Sequence, residues 1–413
     1  MLIEFSISNY RSFREKQTFS MVAAPRLKKG DNVFKPAVKG EKLPDLLKVT
    51  AIYGPNASGK SNLIKAFGVV SEIARRQPSA QSTPLPIFPF RFDQQLADQP
   101  SRIELHFVYA EQRYEFGLAL TQDRIVEERL LVFPKGKETL LYERRHLPSG
   151  DEYTFGLQLE GGKDLHELWK KSTGPQVLFL VQAVANSSEE LKQLREPLTW
   201  LQSGFMIVSG NMDGWADSSQ ELARDIPVFA KEISSFLQDV DVPVTNIRFD
   251  QADSVSSGLL QAINSKPKNK TILTHRTALG EAEFDFQEES EGTKNLIGFW
   301  LPWSIHEQSS LAKKNRTLIV DELDSSLHPE IVASLVAKHI KSDSSSQLIF
   351  TTHDTHLMDA KLLRRDQFWL TERDANGATQ LRSIHDFEGR ESEDLEKRYY
   401  EGRYRGLPFV RKS

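Results

Sequence analysis

Residues 54–61 read Gly-Pro-Asn-Ala-Ser-Gly-Lys-Ser, and this octapeptide decides the fold of the chain. It follows a run of β-forming residues at 47–53 and precedes a helical pattern at 61–74, so we predict a strand, a loop and a helix. Glycines let such a loop turn tightly and point its backbone N–H groups inward as a nest for anions. Lys60 adds a cation, the Ser61 hydroxyl can bind Mg²⁺, and the start of the helix attracts phosphate.

The octapeptide, called the phosphate loop below, therefore predicts a binding site for a nucleotide and Mg²⁺. The alternative is a simple glycine turn between a strand and a helix. The residues predicted to contact the nucleotide here are Asn56, Ala57, Ser58, Gly59, Lys60, Ser61 and Asn62.

A second stretch, Thr-Leu-Ile-Val-Asp-Glu-Leu-Asp-Ser-Ser-Leu-His-Pro at 317–329, places two carboxylates directly after four apolar β-formers. Asp321, at the end of the predicted strand, is placed to hold Mg²⁺ through water, and Glu322 is placed to polarise an attacking water. A buried strand that ends in ordinary surface acids would explain one carboxylate. It does not explain the whole string.

Two further motifs flank this stretch. Ser-Glu-Gly-Thr-Lys-Asn at 290–295 opens a helical pattern, where hydroxyl and backbone donors can hold an anion. Phe-Thr-Thr-His-Asp at 350–354 ends a predicted strand and carries His353. Alone, Ser290 would be an ordinary helix N-cap and His353 a structural histidine. Their positions, each about 30 residues from the acidic stretch, favour functional roles, and His356 is the competing candidate.

Composition excludes several classes of protein. The chain has 413 residues, a formal net charge of −4 and no cysteine. Disulfides, cysteine–zinc sites and thiol catalysis are therefore excluded, and no global positive field draws the chain to nucleic acid. The N-terminus lacks the layout of a signal peptide, and no apolar run approaches the ~18 residues of a membrane span. We expect a cytoplasmic protein that does not contact a membrane.

The order of these motifs resembles the SMC/RecF-type branch of ABC ATPases, and so does the opening Ile-Ser-Asn-Tyr-Arg-Ser-Phe at 7–13. More narrowly, the chain resembles the RloA-like AAA ATPases of bacterial defence islands. The shared strings are GPNASGKSN, ESEGTKN, DELDSSLHP, TTHDT and the tail EKRYYEGRYRGLPF. The resemblance spans nearly the whole chain and is weakest at 160–270.

This resemblance implies an α/β fold: an ABC-type P-loop ATPase head with an antiparallel β lobe and an inserted helical subdomain. It implies ATP and Mg²⁺ as ligands, with the metal held by Ser61 and Asp321. Glu322 and His353 would be the catalytic residues, His353 as the switch histidine at the γ-phosphate, and 323–329 would form the D-loop.

It also implies that Ser290, Gly292 and Thr293 belong to a signature motif, which caps the ATP bound by a second copy of the chain. We therefore expect a homodimer, or a higher oligomer, closed around ATP. The signature reads Ser-Glu-Gly-Thr and departs from the Leu-Ser-Gly-Gly-Gln of transporters, so no transporter role is implied.

Three functions remain open at this level. The first is a regulator in antiphage defence, which controls a separate effector, a nuclease or toxin, because the segment after His353 shows no nuclease pattern. The second is a RecF/SMC-like repair ATPase that binds DNA directly. The third is a scaffold with a nearly idle ATPase. The basic, aromatic tail could contact nucleic acid through Arg398, Arg403 and Arg405, or could dock on the ATPase core.

We expect four segments along the chain. They are an N-terminal ATPase lobe (1–157), a helical insert (158–270), a C-terminal ATPase lobe (271–390) and the tail (391–413). The glutamine that would sense the nucleotide stays unassigned among Gln81, Gln94 and Gln95.

Overall fold

The computed structural model describes residues 1–77, 83–250, 270–311, 316–325, 327–358, 361–390 and 393–404. The strands are β1 (Leu2–Ser8), β2 (Gln17–Ser20), β3 (Val33–Phe34), β4 (Leu46–Leu47), β5 (Val49–Tyr53), β6 (Ser101–Tyr109), β7 (Gln112–Leu120), β8 (Ile125–Val132), β9 (Thr139–Leu147), β10 (Gly150–Phe155), β11 (Phe205–Val208), β12 (Val244–Asp250), β13 (Lys270–Thr277), β14 (Gly280–Asp285), β15 (Thr317–Val320), β16 (Gln347–Thr351), β17 (Phe368–Arg373) and β18 (Thr379–Ser383). The α-helices are α1 (Lys60–Arg75), α2 (Gln94–Ala97), α3 (Gly162–Ser172), α4 (Phe179–Ala185), α5 (Arg195–Ser203), α6 (Asp213–Asp225), α7 (Pro227–Asp239), α8 (Glu291–Leu311), α9 (Pro329–Lys341) and α10 (Leu395–Tyr400).

The chain forms two compact units. Unit 1 comprises Met1–Val208, Ser309–Leu323 and Val336–Ser413, and unit 2 comprises Ser209–Gln308 and Asp324–Leu335. Helices α3, α4 and α5, which the sequence groups with the insert, lie in unit 1. Among the described helices, none is long and apolar enough to cross a membrane.

Unit 1 contains a six-stranded sheet in the order β11-β15-β16-β5-β17-β18. All its pairs are parallel except β17 with β18. Its strands β15, β16 and β5 are buried along their whole length, as expected for parallel strands that are covered on both faces. The register sets Val320 of β15 opposite Phe350 of β16, and Phe350 opposite Ala51 of β5. The carboxyl ends of these three strands therefore meet at one edge.

The second sheet of unit 1 is antiparallel and has seven strands in the order β10-β9-β8-β7-β6-β1-β2. It confirms the antiparallel β lobe and the mixed α/β class predicted from the sequence. Buried Gln347 joins the two sheets, since its side-chain amide exchanges hydrogen bonds with the N–H and C=O of Leu2 at 2.7 and 2.9 Å. Helix α1 packs against both sheets through Phe67, whose ring lies 4.2 Å from Phe5 and 5.3 Å from Phe205.

Unit 2 combines helices α6 and α7, most of α8 and the three-stranded sheet β12-β13-β14. Helix α8 approaches α6 closely at Gly298, where a Cβ atom would lie 2.8 Å from the Met212 carbonyl. The edge of the Phe229 ring meets Trp300 of α8 at 5.7 Å. The apolar run after the signature is thus the core of this unit.

The sequence and the structure differ at two local points. The pattern over 218–237 predicts a single helix, but the structure has two, because Pro227 lacks an N–H and starts α7 at its first position. The short strands β11 and β12 were not predicted, since four to seven residues carry little periodicity. The polar, Lys-rich residues 261–270 predict a linker, and this range falls almost wholly within 251–269, outside the described residues.

Candidate nucleotide site

The phosphate loop leaves β5 at Tyr53 and enters α1 at Lys60. Gly54, Ala57 and Gly59 have φ values of 154°, 61° and 112°, a region that glycine occupies readily and other residues rarely. The loop therefore adopts the turn that the sequence predicted. Asn56 and Ala57 are exposed, Ser58 and Lys60 are buried, and Ser61 and Asn62 are half-buried.

Lys60 folds back over its own loop. Its ammonium group donates to the carbonyl of Gly54 at 2.7 Å and to that of Pro55 at 3.3 Å. The two carbonyls hold the Lys60 ammonium group beside the loop N–H groups. An anion in the loop would therefore meet both the nest and the cation.

The two acidic residues lie at the end of β15. A single hydroxyl, that of Thr351, accepts a hydrogen bond from the Glu322 N–H at 2.7 Å and donates one to Asp321 Oδ1 at 2.7 Å. Glu322 has φ 56°, a strained conformation for a residue with a side chain, and its side chain is exposed. Thr351 thus fixes the backbone of Glu322 and the carboxylate of Asp321, and the sequence motifs did not point to it.

His353 follows β16, the strand between β15 and β5. The Thr352 N–H donates to the carbonyl of Ile52 at 3.2 Å, which holds this segment beside the strand that leads into the phosphate loop. His353 is exposed. His356, the competing candidate, lies in a short 3₁₀ helix (Thr355–Met358), where its Nδ1 is 2.9 Å from Asp354 Oδ1. The fold therefore brings the phosphate loop, Asp321, Glu322 and His353 to one sheet edge of unit 1.

The predicted signature belongs to unit 2. Ser290 Oγ accepts a hydrogen bond from the Thr293 N–H at 3.1 Å, and the two hydroxyls are 3.0 Å apart. Ser290 is thus an N-cap of α8, with Gly292 in the first turn. The preceding Glu289 is held by His275, whose Nε2 is 2.7 Å from its carboxylate. The signature and the phosphate loop lie in different units.

The donor atoms at the sheet edge fit Mg²⁺. Ser61 contributes a hydroxyl at the start of α1, and Asp321 contributes a carboxylate that Thr351 already orients. Mg²⁺ prefers such hard oxygen ligands and keeps several waters. Both predicted metal ligands are therefore retained as candidates.

A second cluster in the described part of the chain is better explained without a metal. Glu104, His106 and Glu115 have ligand atoms within 4.8 Å of one another on β6 and β7. A hydrogen bond from His106 and the charge of Lys16 lower the pKa of Glu104 to about 2. Arg129 pairs with Glu115 at 2.5 Å. The cluster is a set of cross-strand ion pairs.

The described part of the tail docks on unit 1. Tyr399 of α10 is buried against Tyr53, with ring centroids 6.4 Å apart, and Glu396 accepts a hydrogen bond from the Thr355 hydroxyl at 2.5 Å. Arg398 pairs with Glu393 at 2.7 Å and Arg403 with Glu401 at 2.9 Å. Arg405 lies outside the described residues. The docked position and the paired charges favour the core-docking interpretation of the tail.

A family described as "AAA domain, putative AbiEii toxin, Type IV TA system" matches residues 49–359. This range covers more than half of the chain and includes all four motifs. The chain belongs to this AAA family. It is a P-loop ATPase family, and the matched range contains the phosphate loop, Asp321, Glu322 and His353.

Solved structures similar to this AAA chain include two heads of SMC proteins. The SMC head domain from Thermotoga maritima is 15% identical, with 92% of this chain and 98% of that chain covered and a TM-score of 0.43. An SMC head bound to the C-terminal winged-helix domain of ScpA is 14% identical, with 92% and 97% covered and a TM-score of 0.42. No curated protein matches the chain.

Proposed function

We propose that this chain is a Mg²⁺-dependent ATPase that closes as a dimer around ATP and so controls a separate effector in antiphage defence. The observation that carries the proposal is the convergence of the phosphate loop, Asp321, Glu322 and His353 at one sheet edge. Phosphoryl transfer to water requires a cation at the phosphates, ligands for the metal ion and a base for the attacking water, and a switch residue responds to the γ-phosphate.

The residues have separate roles in this proposal. Lys60 and the loop N–H groups hold the β- and γ-phosphates, and Ser61 and Asp321 would hold Mg²⁺, which would supply positive charge against the phosphates. Glu322 accepts the proton of the attacking water. His353 contacts the γ-phosphate and reports its loss to the segment after β16.

Unit 2 supplies the second half of the site in the dimer. Ser290, Gly292 and Thr293 offer hydroxyl and N–H donors at the start of α8, which suits a phosphate that arrives from another chain. Each signature would then cap the ATP held by the phosphate loop of the partner. Hydrolysis removes the shared γ-phosphate and separates the two copies.

The defence role rests on the resemblance to RloA-like ATPases. The matched family's description names a toxin–antitoxin system, which supports a role in the control of a toxic activity. The pairing of Arg398 and Arg403 with glutamates gives direct DNA binding no support. If the chain bound DNA in an ATP- and salt-dependent manner, the RecF/SMC-like alternative would replace this proposal.

The test compares the purified chain with Glu322→Gln and Lys60→Ala. We expect Glu322→Gln to lower turnover at least about a hundredfold and to accumulate an ATP-bound dimer, measured by light scattering. Lys60→Ala should bind no ATP and remain monomeric. Normal turnover by Glu322→Gln, or no ATP-dependent dimer, would refute the mechanism. Whether the product of a neighbouring gene co-purifies with this chain, with and without ATP, tests the proposal that a separate effector exists.

A further inference from the structure

The hairpin β17–β18 presents two threonines to the phosphate loop. Thr371 on β17 and Thr379 at the start of β18 are 0% and 1% exposed. A buried hydroxyl is costly unless it forms a hydrogen bond, so the partners of these two hydroxyls show what holds them there. Both have partners in the loop or directly beside it.

The first set of hydrogen bonds is formed by the Thr379 hydroxyl. Thr379 Oγ1 lies 2.8 Å from the Ser58 carbonyl and 2.8 Å from Ser12 Oγ. Thr379 is the donor to both atoms, so its single hydroxyl proton is shared between the Ser58 carbonyl and Ser12 Oγ. Ser12 in turn accepts from the side-chain amide of Asn62 at 2.8 Å. One hydrogen-bonded network thus joins α1, the turn after β1 and the loop.

A second set of hydrogen bonds forms at the other end of the loop. Thr371 Oγ1 donates to the carbonyl of Tyr53 at 3.2 Å. Because its single proton is used in that bond, it accepts a hydrogen bond from Ser58 Oγ at 2.5 Å. Ser58 is therefore held twice, by its carbonyl through Thr379 and by its hydroxyl through Thr371.

The two glycines of the loop give independent evidence of this close approach. A Cβ atom on Gly54 would lie 2.2 Å from Thr371 Oγ1, and one on Gly59 would lie 2.1 Å from Thr379 Oγ1. Each glycine thus serves two requirements, a positive φ and room for a threonine hydroxyl. The hairpin contacts the loop at both of its glycines.

We infer that Thr371, Thr379 and Ser12 form a hydroxyl clamp that positions the phosphate loop. The clamp turns the carbonyls of Tyr53 and Ser58 toward the hairpin. The loop N–H groups are then left to face the phosphates, without a carbonyl dipole opposing the bound charge. These are positioning residues, which act through the loop. The inference rests on the proposed binding of ATP at this loop.

The experiment measures Mg–ATP binding by calorimetry and steady-state turnover for Thr379→Val and Thr379→Ser. Loss of the bond to Ser58 should weaken Mg–ATP binding and raise KM by about tenfold, with kcat changed less than about threefold. Serine keeps the hydroxyl and should restore both values to within about twofold of the wild type. Thr50→Val, another fully buried threonine, on β5 and bonded to Met21, is the matched control and should bind as the wild type does.

Amide hydrogen exchange without nucleotide provides a readout that does not depend on ATP. Residues 54–63 should exchange faster in Thr379→Val and in Ser12→Ala. The Ser12→Ala substitution removes the central hydroxyl of the hydrogen-bonded network without adding bulk. In Thr379→Ser the same residues should exchange at the wild-type rate. Wild-type exchange and affinity in both variants would overturn the clamp. Unchanged ATP binding in Lys60→Ala would instead overturn the proposed function. If Thr379→Val fails to fold, Ser12→Ala decides the result.

Discussion

At the scale of residues, the candidate site depends on threonine hydroxyls that act in two directions at once. Thr351 accepts from the Glu322 N–H and donates to Asp321, so one side chain fixes the backbone of the proposed base and the orientation of the metal ligand. The left-handed backbone of Glu322 costs on the order of 1 kcal/mol, and the bond from its N–H offsets part of that strain.

Thr351→Val should lower kcat about ten- to hundredfold, because valine keeps the shape of the side chain and removes both bonds. Thr351→Ser should retain most of the turnover, since its hydroxyl can form the same pair of bonds. Phosphate release at saturating Mg–ATP measures the effect. Thr317→Val, on the neighbouring strand and away from the site, serves as the control. Turnover of Thr351→Val at the wild-type rate would show that the bridge does not position the site.

At the scale of elements, the C-terminal part of α9 is tied to β5 by buried polar groups. Lys48 donates to the carbonyls of Ile340 and Ser342 at 2.8 and 2.7 Å, which satisfies the end of the helix. His339 is buried and donates to the carbonyl of Lys48 at 3.3 Å. Burial lowers the pKa of His339 to about 4. The histidine is therefore neutral in the folded chain at neutral pH.

This burial makes stability depend on pH with a defined sign. Between the unfolded pKa of 6.5 and the folded value of about 4, the unfolded chain binds the extra proton, so stability falls as pH drops through this range. The contribution of His339 amounts to at most about 3 kcal/mol. The denaturation midpoint of His339→Gln should decline less between pH 7 and 4.5 than that of the wild type. His385→Gln, at an exposed histidine, is the control, and equal slopes for His339→Gln and the wild type would contradict the argument.

The elements also show what a sequence can predict here. Strand β5, the loop and α1 follow from 47–74, because phosphate chemistry requires particular residue types at fixed spacing. The break between α6 and α7 was readable from Pro227 and was missed. The threonines at 351, 371 and 379 carry no such signal, since threonine is an ordinary strand residue and its hydroxyl partner depends on strand order. Strand order comes from tertiary packing that local patterns do not encode.

At the scale of the whole molecule, the distribution of motifs between the two units has a consequence for assembly. Unit 1 holds the phosphate loop, Asp321, Glu322 and His353, whereas unit 2 holds Ser290, Gly292 and Thr293. If the signature acts on the ATP of a partner, the two halves of one active site belong to different chains. In a symmetric dimer the same arrangement then occurs twice.

Mixing two inactive variants tests this arrangement. Lys60→Ala destroys the phosphate loop of its own chain, and Ser290→Arg destroys the signature, so each variant alone should be inactive. A mixed dimer contains two different sites. One site carries both defects. The other combines the intact phosphate loop of the Ser290→Arg chain with the intact signature of the Lys60→Ala chain. An equimolar mixture should therefore recover turnover, up to about half of the wild-type rate, since each mixed dimer has one working site of two. Two copies of Lys60→Ala, one carrying a purification tag, provide the matched control and should recover none. If the signature served its own chain, the mixture would stay inactive even when light scattering shows that mixed dimers have formed.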